Sequence, residues 1–85
     1  MPDVLATVTS DDVAALEKFV GGLDAQAAAL RARLGRQALL DRLAPDTNTR
    51  NECDWLESEI RKIEMDLRRP KLALDEARRI VAARA

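Results

Sequence analysis

The chain has 85 residues, with 14 Lys and Arg against 15 Asp and Glu, no His, and only 2% aromatic residues. A chain of this length forms one domain at most and buries only about 60–65% of its unfolded surface, so its core is thin. The net charge of −1 excludes a general attraction to nucleic acid or membranes. Without His, the commonest general base and metal ligand is missing, and we expect no enzyme, no cofactor and no metal site.

The first predicted helix covers residues 10–43 and follows an N-terminal extension, residues 1–9. Thr9 and Ser10 offer a capping hydroxyl, and the carboxylates that come next favour the start of a helix. Apolar residues then recur in steps of three and four, which is typical of a coiled-coil seam. They are Val13, Leu16, Val20, Leu23, Ala27, Leu30 and Leu34. The next two positions in phase are polar, so we expect the seam to widen and rotate onto Ala38, Leu39, Leu40 and Leu43.

The clearest break lies at residues 44–48, where Pro45 cannot continue a helix and Asp and Asn suit a turn. Thr49 and Glu52 then have the spacing of a capping box, which predicts a second helix over residues 49–84. This helix repeats the pattern of the first. Its seam positions are Cys53, Leu56, Ile60, Ile63, Leu67, Pro70, Leu74, Ala77 and Val81.

Helix-forming residues dominate the chain, so the sequence predicts an all-α protein in which the two arms form an antiparallel, coiled-coil-like hairpin. We expect facing residues to have numbers that sum to about 93, which places Leu30 opposite Ile63. The pair Gly21-Gly22 then lies beside Pro70, and we expect a shared bend or a close backbone approach there. The phase survives Pro70, which favours a kink, or a helix that restarts in line, over a turn.

The distribution of charge agrees with this pairing. Residues 1–24 contain five acidic residues against one basic residue, whereas residues 68–85 contain six basic against two acidic. An antiparallel hairpin brings these two segments together, and like-charge alternatives would be disfavoured.

Several apolar side chains lie outside the seam, and we predict that they bind a partner. They are Phe19, Trp55, Met65, Leu72 and Ile80. The alternative is that they widen the monomer's own core. Because helical association readily completes such a core, a homodimeric four-helix bundle is the leading architecture, and a compact three- or four-helix monomer is the second.

The expected function is therefore protein–protein interaction, as a small adaptor, assembly factor or chaperone whose partner is itself or another helical protein. The alternative is a nucleic-acid-binding bundle that uses the arginines, but we do not expect it because no aromatic stacking platform exists. The single cysteine, Cys53, is expected to be a buried and inert seam residue. We expect a bacterial, cytoplasmic protein, because Ala and Arg are frequent and neither a signal peptide nor a membrane span is evident.

Overall fold

A computed structural model describes residues 4–84, so residues 1–3 of the expected extension and residue 85 lie outside the described residues. A short 3₁₀ helix, Val4–Thr7, precedes two long helices, α1 (Ser10–Leu43) and α2 (Thr47–Arg84). These two helices pack side by side, and no strand occurs in the described part of the chain. The molecule measures 60 × 23 × 14 Å. The predicted all-α antiparallel hairpin is confirmed.

The start of α1 is fixed by a reciprocal cap. Thr9 has an extended backbone, and its Oγ1 accepts a hydrogen bond from the backbone N–H of Asp12 at 3.3 Å. In return, the Asp12 carboxylate accepts from the backbone N–H of Thr9 at 2.9 Å. This is a capping box with Asp in the place of Glu, and it satisfies two of the N–H groups that a helix start leaves unpaired. The predicted start of the first helix is confirmed.

The connection between the helices is shorter than predicted. Only residues 44–46 separate α1 from α2, and the backbone N–H of Arg50 already donates to the carbonyl of Asp46 at 3.0 Å. Thr49 consequently lies inside the first turn of α2, and the predicted capping box at Thr49 does not start the helix. Asp46 is itself a residue type preferred at helix starts, and beginning there adds two residues to the helix.

Ion pairs between the helices define their register. In three of these pairs, both residues directly follow a seam position, and the two residue numbers of each pair sum to 95. They are Glu17 with Arg78, Asp24 with Lys71, and Arg31 with Glu64. Arg33 and Glu52, which precede seam positions, also pair, and their numbers sum to 85. The seam lies between these two sets of ion pairs, so the numbers of two seam residues that face each other sum to about 90, midway between 95 and 85. The predicted value of 93 is therefore wrong by three residues, which follows from the shorter connection.

The core is a single line of side chains between the helices. Its main cluster contains Val20, Leu67 and Leu74, against which four half-buried residues pack: Val13, Leu16, Leu23 and Ile63. Ala27 and Leu56 have no exposed surface at all. Every residue of this core belongs to the predicted seam, so the two heptad patterns correctly identified the buried positions.

The last two turns of α1 differ from the prediction. Gln37 and Asp41, the polar residues in phase with the seam, are half-buried. The four apolar residues expected to replace them are all exposed: Ala38, Leu39, Leu40 and Leu43. The predicted rotation of the seam is wrong because α1 is one continuous helix. The seam residues before Gln37 set its orientation, and the last turns follow in the same phase.

Both helices are continuous through their weak points. α1 runs through Gly21 and Gly22, and α2 contains Pro70 in its interior. A Cβ built on either glycine meets no atom within 4 Å, so the predicted close backbone approach is wrong. Pro70 has no N–H to donate to the carbonyl of Asp66. A kink at this level of the hairpin stays a prediction, whereas a separate helix restarting at Pro70 is excluded by the continuity of α2.

Candidate interaction surface

One side of the hairpin, here called the charged flank, carries the three ion pairs whose numbers sum to 95. Its charged residues recur every seven positions along each helix: Glu17, Asp24 and Arg31 in α1, and Glu64, Lys71 and Arg78 in α2. The closest approaches are 3.2, 3.2 and 2.8 Å, and each side chain is about half exposed. Exposed pairs of this kind contribute at most about 1 kcal/mol each, so the charged flank fixes the register more than it stabilises the fold.

The opposite side, here called the apolar flank, is built from residues that precede the seam positions and from their outer neighbours. In α1 these include Phe19, Gly22, Gln26, Ala29, Arg33, Arg36, Leu40 and Leu43; in α2 they include Glu52, Trp55, Glu59, Lys62, Asp66, Arg69, Ala73, Glu76 and Ile80. Phe19 and Trp55 are 56% and 52% exposed. Only one ion pair crosses between the helices on this flank, Arg33 with Glu52, within residues 4–84.

The end of the apolar flank next to the connection between the helices, here called the closed end, combines an aromatic ring with leucines. The guanidinium of Arg33 lies 5.9 Å from the ring centroid of Trp55, a cation–π geometry, while it also pairs with Glu52. Leu40 is half exposed and Leu43 is almost three-quarters exposed. Both leucines are predicted to lie in the seam, and their place on this surface is a finding of the structure. The signal was present, because polar residues in phase with the seam leave neighbouring leucines outside it.

The opposite end of the apolar flank, here called the open end, lies where α1 begins and α2 ends, and the N-terminal segment, residues 4–9, partly covers it. Ile80 is half-buried there, in a shallow hollow of about 260 Å³ that is also lined by Leu5, Val8 and Ala73. The guanidinium of Arg84 donates to the backbone carbonyls of Val8 and of two residues in the 3₁₀ helix, which ties this segment to the end of α2. Ile80 thus lies beside the chain's own N-terminal segment, whereas the other four residues predicted to bind a partner are exposed.

Met65 and Leu72 occupy the outer edge of α2, seven residues apart, and are 65% and 70% exposed. An open hollow beside Pro70 connects them to Asp66 and Arg69 of the apolar flank. Four of the five predicted partner-binding residues are therefore exposed, two on the apolar flank and two on the edge beside it. Their role in binding stays a prediction.

The polar part of the seam near the turn contains the half-buried Cys53 and Asp41. Partial burial raises the pKa of the Cys53 thiol, and the nearby carboxylates of Asp41 and Glu57 raise it further. A thiol of this kind stays protonated at neutral pH and is a poor nucleophile. Asp41 has a buried carboxylate oxygen without a hydrogen bond, 3.9 Å from Nε of Arg50. No group of His, Cys, Asp and Glu among the described residues is arranged to hold a metal ion.

Two further findings bound the interpretation of this surface. Neither α1 nor α2 is apolar enough over a sufficient length to cross a bilayer. Comparison of the chain with protein-family models, with curated proteins and with solved structures finds no match.

Proposed function

We propose that this chain is a protein–protein interaction module that docks helical surfaces through its apolar flank. The observation that carries the proposal is the difference between the two sides of the hairpin. The charged flank has three ion pairs between the helices, whereas the apolar flank leaves Phe19, Leu40 and Trp55 at least half exposed. Large exposed apolar side chains with polar neighbours are typical of an interaction site.

The thickness of the molecule supports the same proposal. At 14 Å, the hairpin is one layer of helices, because a single helix with its side chains is about 10–12 Å across. Stable domains bury their apolar surface between two packed layers, and a core as small as this one rarely supplies more than about 3–5 kcal/mol. A second helical layer on the apolar flank would supply the missing half of the core.

The chemistry of the apolar flank favours a helical protein as the partner. Trp and Arg are the residue types most enriched among energetically dominant interface residues, and Trp55 and Arg33 are already held against each other. An adaptor, an assembly factor or a chaperone for another helical protein would use such a surface. Nucleic-acid binding is less well supported, because the cations of the charged flank, Arg31, Lys71 and Arg78, each lie against a carboxylate.

Site-specific photocrosslinking tests this function. A benzophenone amino acid placed at position 40 lies on the apolar flank, and the matched control at Ala28 lies on the charged flank, is also exposed and is in the same helix. In cells that express the native gene, we expect defined protein adducts from position 40 and few from position 28, with mass spectrometry identifying the captured chain. Equal capture at the two positions, or no capture at either, would contradict the proposal.

A further inference from the structure

We propose that the occupant of the apolar flank is a second copy of this chain, stacked face to face with the two turns at opposite ends, so that a four-helix bundle forms. This inference rests on the proposed function and deepens it by naming the partner. Each α1 would lie antiparallel on the other copy's α1, and each α2 on the other copy's α2, about a two-fold axis that crosses the hairpin near its middle.

Four of the six charges of α2 on the apolar flank are self-complementary about one point, and the other two, Glu52 and Glu76, are like charges that this point places opposite each other. Glu59 and Arg69 are each five residues from residue 64, and Lys62 and Asp66 are each two residues from it. A two-fold axis at this level places Glu59 of one copy opposite Arg69 of the other, and Lys62 opposite Asp66. Asp66 and Arg69 make no ion pair with any other described residue, so their charges are available to a partner, whereas Glu59 and Lys62 pair with each other at 3.1 Å and would exchange this contact for the ones between copies.

The residues of α1 point to the same axis. Because facing residues sum to about 90, the level of residue 64 in α2 is that of Gln26 in α1, a residue of the apolar flank. Phe19 and Arg33 are each seven residues from Gln26, so the axis places the Arg33 guanidinium of one copy opposite the Phe19 ring of the other, a cation–π pairing. Between them, Gly22 and Ala29 are small enough to let the two α1 helices approach closely. The two helices thus independently indicate one axis.

The same axis matches the apolar ends of the two copies. The closed end of the apolar flank carries Leu40 and Leu43, which lie level with residues 12 and 9 of the other copy. The open end there carries the hollow lined by Leu5, Val8 and Ile80. Exposed leucines of one copy would therefore cover the N-terminal segment of the other, which removes apolar surface from water at both ends of the assembly.

The available area is sufficient, and the alternative orientation fits less well. A face of 60 × 23 Å offers roughly 1,400 Å² per copy, against about 800 Å² per partner in a standard stable interface. If both turns lay at the same end, α1 would stack on the other copy's α2. Asp12 would then face Glu76, a like charge, Arg36 would face Glu52, Arg33 would lie near Glu59, and Lys62, Asp66 and Arg69 would face uncharged residues. The two orientations have equal numbers of opposite-charge and like-charge pairs, and the antiparallel stack is favoured because it places the exposed leucines of one copy over the hollow in the N-terminal segment of the other.

Sedimentation equilibrium of the full chain between 1 and 100 µM tests the inference, with circular dichroism to verify folding. We expect twice the chain mass of 9.4 kDa. Phe19→Glu on the apolar flank should weaken dimerisation at least tenfold. Leu72→Glu, which places the same carboxylate on an exposed position of the outer edge, should leave it unchanged. A folded chain that stays monomeric at 100 µM would overturn the dimer.

A charge exchange tests the orientation. Arg69→Glu and Glu59→Arg should each weaken dimerisation several-fold, and the double variant should restore it. A dimer whose affinity does not recover in the double variant would overturn the antiparallel stack. The crosslinking experiment separates the two proposals: adducts from position 40 with a different protein, and none with a second copy, would overturn the dimer while leaving the interaction function in place.

Discussion

Replacement of Gly21 by alanine should stabilise this protein. Gly21 lies in the interior of α1, far from either end, and a Cβ built there meets no atom within 4 Å. The substitution therefore adds helix propensity without a clash and without removing a contact. Alanine is more favourable than glycine in a helix interior by about 1 kcal/mol, because glycine loses more backbone entropy on folding.

A matched control exists in the same helix. Gly35 also lies in the interior of α1 with open space around its Cβ, and it is fourteen residues from Gly21, so both glycines lie on the same side of the helix. They differ in one respect: Gly21 is nearly level with Pro70 of α2, whereas Gly35 is not. If α1 is an ordinary helix at both positions, both substitutions should raise the free energy of unfolding by about 1 kcal/mol.

The assay is thermal unfolding followed by circular dichroism at 222 nm, at one protein concentration for all variants. For a domain of this size, 1 kcal/mol corresponds to roughly 4–8 °C in Tm. We expect Gly21→Ala and Gly35→Ala to raise Tm by similar amounts within that range, and the two increases to add in the double variant. A gain at Gly35 together with a loss at Gly21 would refute the continuity of α1 and would show that the backbone beside Pro70 needs glycine.

Three other substitutions or reactions follow from burial and charge. Leu56→Ala should lower the free energy of unfolding by roughly 2–5 kcal/mol in urea titrations, because Leu56 is completely buried, whereas Leu72→Ala on the exposed edge should change it little. Asp41→Leu should raise the free energy of unfolding by about 1 kcal/mol, because an apolar seam residue replaces a buried oxygen without a hydrogen bond. A lower free energy of unfolding would show that the contact of Asp41 with Arg50 matters more. Cys53 should react with iodoacetamide more slowly than an unfolded control at pH 8, because its raised pKa leaves less thiolate. Because the folded chain holds the thiol proton more tightly, the free energy of unfolding should fall as the pH rises past the pKa of the unfolded thiol.

The bounds of α1 and the buried positions could be predicted because their signals are local. The cap at Thr9 and the three-and-four spacing of apolar residues each act within one or two turns, and the structure has both. The length of the connection could not be predicted in the same way. Asp46 and Thr49 are both acceptable helix starts, and the choice between them moves the register by the full error observed.

The interaction surface was harder to predict than the core. Phe19 and Trp55 can be identified from the sequence because they are large apolar residues outside the seam, but which side of the hairpin they occupy depends on how the two helices are rotated against each other. Leu40 and Leu43 were assigned to the seam because apolar residues favour burial. The rigidity of a continuous helix overrode that preference and left them exposed. The local signal, Gln37 and Asp41 in phase with the seam, is outweighed in a short window of sequence by the four apolar residues around it.

The most direct test of the antiparallel hairpin is the distance between its two far ends. Asp11 and Arg79 are both exposed, lie on the outer sides of the two helices and are level with each other in the register of 90. The distance between spin labels at these positions can be measured by double electron–electron resonance, with excess unlabelled protein to dilute pairs between copies. Packed helices have axes about 8–10 Å apart, so with label arms we expect a narrow distribution below about 30 Å. A distance near 100 Å, which is what 68 residues span at about 1.5 Å each in one unbroken helix, would contradict the hairpin and everything inferred from its two flanks.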